Sequence, residues 1–435
     1  MNRWLIALAG TVLMVCLGTV YSWSTFTQPL IGAFGWSNTT TTAAFALAIL
    51  FLGFGAIAGG RWQDRAGPRK VAITGAALWG LGNVLAGLGT QRFGAPWLYA
   101  TYGVIGGFGL GLGYLTPVAA VTKWFPDKRG FASGMVVMGF GLGAFFYNNV
   151  LNAIPAFANA SREAARAVAG QGNMSSGAVD ALTDVFLWSG IVLGVVGALC
   201  AAALRNPSAQ TAAAAKPAPT AAARDYAPRE AMRTPQFWAL WAMLFLNVTA
   251  GILFISNAVP IMRELTRASP AAAAGVYGVI AVFNGLGRFF WGAVSDRIGR
   301  NAAYLLIYGI QVVIFFVVGG LSSLAAVATL FAVVLACYGG GFGTMPSFVA
   351  DYFGTKHYGT NYGWILLAWG VGGVVGPIFV GVVRDATGAF TGALPVIAIM
   401  LLLAMILPVV TRKPGVAHEG PIWKNLLPPR RAGAH

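Results

Sequence analysis

The chain is poor in charge and poorer still in acid: of 435 residues, 9% are charged and only twelve are Asp or Glu. Soluble domains carry about 25% charged residues, so a water-soluble globule is excluded. Histidine and cysteine are scarce as well, at three each. Cys16, Cys200 and Cys337 lie far apart in apolar runs, which leaves a disulfide framework or metal cluster without support and makes them small core residues. His357, His418 and His435 fall outside the apolar runs, and every acid falls in a loop or at a helix end. No buried group is therefore placed for general acid and base chemistry, which weighs against a membrane enzyme. A nucleotide loop is missing too. The glycine runs GGFGLGLG (106–113), GFGLG (139–143) and YGGGFG (338–343) lack the lysine, the hydroxyl residue and the strand-to-helix setting of a phosphate loop. Glycine at this spacing lets membrane helices approach closely instead, and no cofactor is implied.

Apolar residues are abundant, at 57%, with a mean hydropathy of +0.71. A hydrocarbon core of about 30 Å needs about 20 apolar residues per helix. The runs divide into twelve, near 4–30, 43–62, 71–90, 97–122, 131–157, 181–203, 236–260, 272–294, 302–320, 325–350, 361–384 and 392–410. The fold class expected is an all-α membrane protein of twelve transmembrane helices in two six-helix halves. Although the first run follows Arg3 as a signal peptide would, it continues into YSWSTFTQPL without a small-residue cleavage site, so it reads as a retained helix. The formal charge of +16 invites a nucleic-acid partner. Its distribution argues for topology instead. With both termini inside, 21 of the 28 Lys and Arg fall on the cytoplasmic side, six on the outer side, and Arg288 in a span. The basic tail, with Arg412, Lys413, Lys424, Arg430 and Arg431, is expected to lie against anionic lipid.

Between Leu204 and Arg233 the apolar pattern gives way to Ala, Pro and basic residues, the composition of a flexible linker. The expected organisation is a first half at 1–203, a cytoplasmic linker at 204–235, a second half at 236–410 and a tail at 411–435. A repeat supports the division. GRWQDRAGPRK, from Gly60 to Lys70, is echoed by GAVSDRIGRN, from Gly292 to Asn301, at an offset of 232. Pro117, Gly130 and Gly134 match Pro346, Gly359 and Gly363 at 229, and Phe140 matches Trp369 at the same offset.

Arg288 follows Asn284 by one helical turn in the apolar run 275–294. An arginine at the centre of a spanning helix is unfavourable by roughly 2.5–3.5 kcal/mol, so it faces a partner or a water-filled cavity. No acid shares the span, and an anionic guest can supply the missing charge. Snorkelling to the headgroups is the alternative, since five or six residues separate Arg288 from the end of the run. Tyr21, Trp23, Tyr114 and Tyr338 offer hydroxyl or indole donors that could close a pocket around it.

The loop between the second and third spans resembles the signature of the major facilitator superfamily, with Gly60, Asp64, Arg65, Gly67, Arg69 and Lys70, and its second copy keeps Gly292, Asp296, Arg297, Gly299 and Arg300. The resemblance implies alternating access by rocking halves, with these loops as the gate and the substrate near the midplane. For the aspartates, pairing with arginine and capping a helix N-terminus are both open. Within the superfamily the chain is most similar to the oxalate:formate antiporters and monocarboxylate transporters, through Tyr21, Trp23, Ser24 and Pro29, through Tyr114, Thr116 and Pro117, and through Asn284 and Arg288. That likeness implies a secondary transporter of small carboxylate anions, working by proton symport or anion exchange as a monomer in a bacterial cytoplasmic membrane. Two departures matter. Animal-type relatives carry Asp where Asn284 stands, and the oxalate exchanger carries a buried Lys in the eleventh span, at the position aligned with Trp369. With one cation, and with Phe140 and Trp369 as apolar walls, a monocarboxylate is expected before oxalate. A transporter-like receptor is the remote reading.

Overall fold

In lipid, each backbone N–H and C=O must be satisfied inside the chain, and an uninterrupted helix does so locally. The computed structural model describes residues 2–208, 224–387, 389, 391–415, 421, 424 and 426. It is helical throughout its spans: α1 (Arg3–Phe34), α2 (Asn38–Ala66), α3 (Pro68–Leu98), α4 (99–124), α5 (Arg129–Ala153), α6 (Ser176–Ala202), α7 (Pro235–Thr266), α8 (270–298), α9 (Arg300–Val317), α10 (Leu324–Phe353), α11 (Tyr358–Thr387) and α12 (Ala393–Val410). Most helices outrun the apolar stretch that marks them, because polar first turns are closed by caps rather than by burial. Side-chain oxygens of Ser37, Ser175, Thr234, Ser269 and Ser323 accept from the first turns of α2, α6, α7, α8 and α10. At the other end, Gly67 and Gly299 close α2 and α8 with φ of 78° and 93°, which an L side chain resists and which both copies of the signature loop require.

The halves meet chiefly where α2 lies along α11 and α5 along α8. Within the first half α3 packs on α6, and within the second α8 packs on α10. α1 is broken by a tighter turn at Thr19–Ser22, which resets the helical phase of the residues that follow.

Three expectations change. The fifth span ends at Ala153, and Pro155–Val168 forms a separate amphipathic helix, with Phe157, Ala160 and Ala164 buried and Arg162 and Arg166 exposed. Pro155 supplies the break, since it cannot donate to the helix before it. Arg288 is also not the only buried charge: Arg129, Arg300 and Asp351, placed outside the spans by hydropathy, lie in α5, α9 and α10 at 8%, 5% and 1% exposure. The linker, finally, is not loose throughout. Residues 209–223 lie outside the described residues, but Tyr226 is buried, donates its N–H to Phe353 O at 3.0 Å, and accepts from Asn361 Nδ2 at 3.2 Å. Beside it, Asp225 Oδ1 accepts from the N–H groups of Thr355 and Lys356 at 2.8 and 3.0 Å. Of the tail, Arg430 and Arg431 lie outside the described residues, as does the side chain of Asp385.

Candidate functional site

Arg288 is fully buried, which removes the snorkelling alternative. Its Nε donates to Asn284 Oδ1 at 3.3 Å, the contact that a spacing of four residues permits, and its Nη2 donates to Tyr21 OH at 3.3 Å. Both distances are long for such bonds, so neither replaces a counter-ion. The guanidinium carbon lies 4.7 Å from the ring centre of Phe342, 5.6 Å from Phe140 and 5.9 Å from Tyr21. Aromatic faces at this range together attract a desolvated cation by about 1–2 kcal/mol. Among the described residues no carboxylate forms an ion pair with Arg288.

Around this cation the rings form a closed set drawn from both halves. Tyr21 of α1 lies 5.3 Å from Phe140 of α5 and 6.3 Å from Trp369 of α11. Tyr114 of α4 lies 5.1 Å from Phe140 and 5.2 Å from Trp369, and Phe342 of α10 is 4.7 Å from Trp369. Tyr338, one turn before Phe342, stands 5.4 Å from it. Arg288 Nη1, Tyr114 OH, Tyr338 OH and Trp369 Nε1 are all buried and make no hydrogen bond of normal geometry within the protein. Nη1 of the cation and the three neutral donors around it are groups that an anion could meet, and an unmatched buried polar group otherwise carries its full desolvation cost.

Of the residues singled out in the sequence, the structure brings together Arg288, Asn284, Tyr21, Tyr114, Phe140, Tyr338 and Trp369. It does not bring Trp23. Two positions after Tyr21, Trp23 points into the first half, with its ring 4.6 Å from Tyr102 and 6.3 Å from Phe186. Residues at i and i+2 of a helix face away from each other, so both could not reach one cavity. Two members carried no sequence signal. Phe342 sits inside a glycine run that reads as packing, and Tyr362, whose buried hydroxyl is also unmatched, lies beside Tyr114.

The signature loops build a second constellation. Asp64 Oδ1 accepts from Gly359 N at 2.9 Å, and its Oδ2 accepts from Thr360 N and Oγ1 at 2.8 Å each. In the other copy, Asp296 Oδ1 and Oδ2 accept from the N–H groups of Gly130 and Phe131 at 2.9 and 2.8 Å. Each aspartate thus caps the first turn of a helix in the opposite half, where the helix dipole is positive. Beside each cap the backbones touch: a Cβ on Gly60 would fall on the carbonyl of Gly359, and one on Gly130 on that of Gly292. Among the described residues the second copy adds a network of ion pairs, whereas in the first Lys123 lies within electrostatic reach of Asp64. Arg300 Nη2 donates to Asp296 at 2.7 Å and its Nε to Asp351 at 2.9 Å, while Arg129 Nη1 reaches Asp351 from the other half at 2.9 Å. By the repeat offsets, the positions of Arg129, Asp351 and Arg300 correspond to Tyr358, Thr122 and Pro68. Arg65, Arg69, Lys70 and Arg297 are exposed and stand outside both caps.

Residues 8–377 match the family model described as Major Facilitator Superfamily. The chain is 32% identical over 381 residues to the oxalate:formate antiporter of Oxalobacter formigenes, across 86% of this chain and 83% of that one. It is 27% identical over 452 residues to apicoplast pyruvate carrier 1 of Toxoplasma gondii, across 84% and 81% of the two chains. Among solved structures it is similar to FucP, a transporter captured in its outward conformation, with a TM-score of 0.67 at 17% identity over 93% of this chain and 97% of that one. Identity that low bears on the fold alone.

Proposed function

The chain belongs to the major facilitator superfamily, a family of carriers rather than enzymes, and on that footing we propose that it moves a small monocarboxylate of the lactate, pyruvate, glycolate or formate class by alternating access. One observation carries this reading: a fully buried arginine without an acid, ringed by unmatched donors that both halves contribute. A carboxylate docked on Nη1 turns a lone buried cation into a pair, and that lowers the cost of occluding the site. Because Arg288 is the single cation of the cluster and Trp369 is an aromatic wall, a second carboxylate on the same guest would be left uncompensated. Lactate-like guests also suit the neutral donors of Tyr114, Tyr338 and Tyr362, which can meet a hydroxyl or keto oxygen.

A second reading, oxalate:formate exchange, is favoured by the 32% identity to an antiporter of that name. Counterflow in reconstituted liposomes decides between the two. Labelled lactate or formate is expected to exchange in preference to oxalate, and a preference for oxalate would replace the first reading by the second. The positive-inside bias supports an inner-membrane carrier with both termini cytoplasmic, which makes the face of the aspartate caps the inner one. The enclosure of the cage within one chain supports a monomer as the working unit.

A further inference from the structure

When the inner face opens, more than a passage is released. We propose that the N-terminus of α5 is a second carboxylate site, taken by the transported anion at the inner mouth and held in the closed state by two of the protein's own carboxylates. The proposal rests on the reading that the cargo is a carboxylate.

The ligands are already visible. Asp296 occupies the N–H groups of Gly130 and Phe131, and Asp351 occupies Nη1 of Arg129. All three receiving residues belong to the first half and both acids to the second, so a rocking motion that parts α5 from α8 withdraws both carboxylates together. The acids do not then go unpaired, since Arg300 travels with them and bonds to each. Arg129 is left differently. It is only 8% exposed, its Nε makes no hydrogen bond, and Asp351 is its ion-pair partner among the described residues. Opening therefore presents one guanidinium, two convergent N–H donors and the positive end of a helix at the same place, each relieved of a carboxylate.

The other cap is the internal control. The N-terminus of α11 offers the same two amides to Asp64, but Tyr358 stands where Arg129 does, so opening leaves that helix end without a cation of its own; Lys123, which Asp64 attracts, belongs to the first half and stays with Asp64. An anion arriving from inside can replace Asp351 and Asp296 like for like. By competing with them it favours the open state, so internal anion speeds exchange as well as entering it.

The test compares right-side-out with inverted membrane vesicles, using lactate, formate and oxalate as probes. In Arg129→Gln, the anion concentration giving half-maximal exchange at the inner face is expected to rise about ten- to hundredfold, the scale of one lost charge-assisted contact. At the outer face it should stay within about twofold, and Arg129→Lys should fall between, since an ammonium keeps the charge without the fork. Asp351→Asn also weakens the closed state but leaves Arg129 free, so its inner half-saturation is expected to fall. If Asp351→Asn raises that value as Arg129→Gln does, closure strength alone is responsible and the site is wrong. Equal values for wild type and both Arg129 variants would overturn it as well. Failure of the function reading looks different: wild-type protein would then bind none of the three probes in titration, or bind them equally well with Arg288 replaced.

Discussion

Replacing Arg288 by methionine should stabilise the empty protein while abolishing its binding, a combination that a structural arginine cannot give. The wild-type side chain lies in a span where an arginine costs roughly 2.5–3.5 kcal/mol, and the faces of Phe342 and Phe140 return about 1–2 kcal/mol of it. Its hydrogen bonds to Asn284 and Tyr21, at 3.3 Å each, are too long to supply the remainder. Methionine is flexible and apolar and fills the same space between the rings. Arg288→Met should therefore gain about 1–2 kcal/mol of unfolding free energy without ligand, in line with other buried charges replaced by apolar side chains. Loss of a charge-assisted, two-donor contact should at the same time weaken lactate binding by about 2–4 kcal/mol, or about 30- to 1,000-fold. Thermal or denaturant unfolding in detergent, with and without lactate, reads both effects in one series. Wild type at a hundred times its Kd should gain about 2.7 kcal/mol from the ligand and Arg288→Met should gain none. A variant less stable than wild type that still responds to lactate would refute the reasoning, because Arg288 would then be holding the fold and not the anion.

Other outcomes follow from the same geometry. Trp369→Lys places an ammonium among Tyr114, Phe140 and Phe342 and should raise uptake of oxalate relative to lactate by about tenfold or more, the value of one compensated charge; an unchanged ratio would show that charge count does not set selectivity. Asp64→Asn and Asp296→Asn should slow turnover while substrate affinity measured from the outer face stays within about threefold, since both caps are remote from the cage. The Asp296 variant should be the slower, because it also loses Arg300, and parallel losses of rate and affinity would place either residue in binding. If protons are coupled to uptake, no single carboxylate carries them. A proton gradient should then drive lactate into anion-free liposomes equally in wild type and in each acid-to-amide variant, and abolition by one such variant would identify a fixed proton site.

What could be read from the residues alone followed from local physics. Twelve spans are legible because each must be apolar over about 20 residues, and Arg288 is legible because it breaks that rule. The repeat made the caps visible as a pair of motifs, yet not which bond each aspartate forms. Asp296 does both things that were open, capping α5 and pairing with Arg300. Burial of the network was hidden, since Arg129 and Asp351 are 222 residues apart and each sits where a helix end was expected to be solvated. Trp23 misled for a reason of phase: it follows Tyr21 by two residues, so the two side chains face apart on the helix although they are near neighbours in sequence. Phe342 and Tyr362 were missed because nothing in an apolar or glycine-rich run distinguishes a ring that lines a site from one that packs.

The bare backbone contacts at Gly60 with Gly359 and at Gly292 with Gly130 bear on speed. A gate of interlocked leucines would have to unpick fixed rotamers at each cycle and order them again on closing, at about 0.5–1 kcal/mol per side chain. Where backbone meets backbone at these glycines there is no rotamer to unpick, although rings and leucines such as Phe131, Phe289, Leu142 and Leu367 still pack along the same helix pairs. The glycine contacts can part and meet again without a search. If the proposed gate lies at these glycines, turnover is tuned more by the polar groups at the rim, Asp64, Asp296 and their partners, than by the glycine contacts themselves.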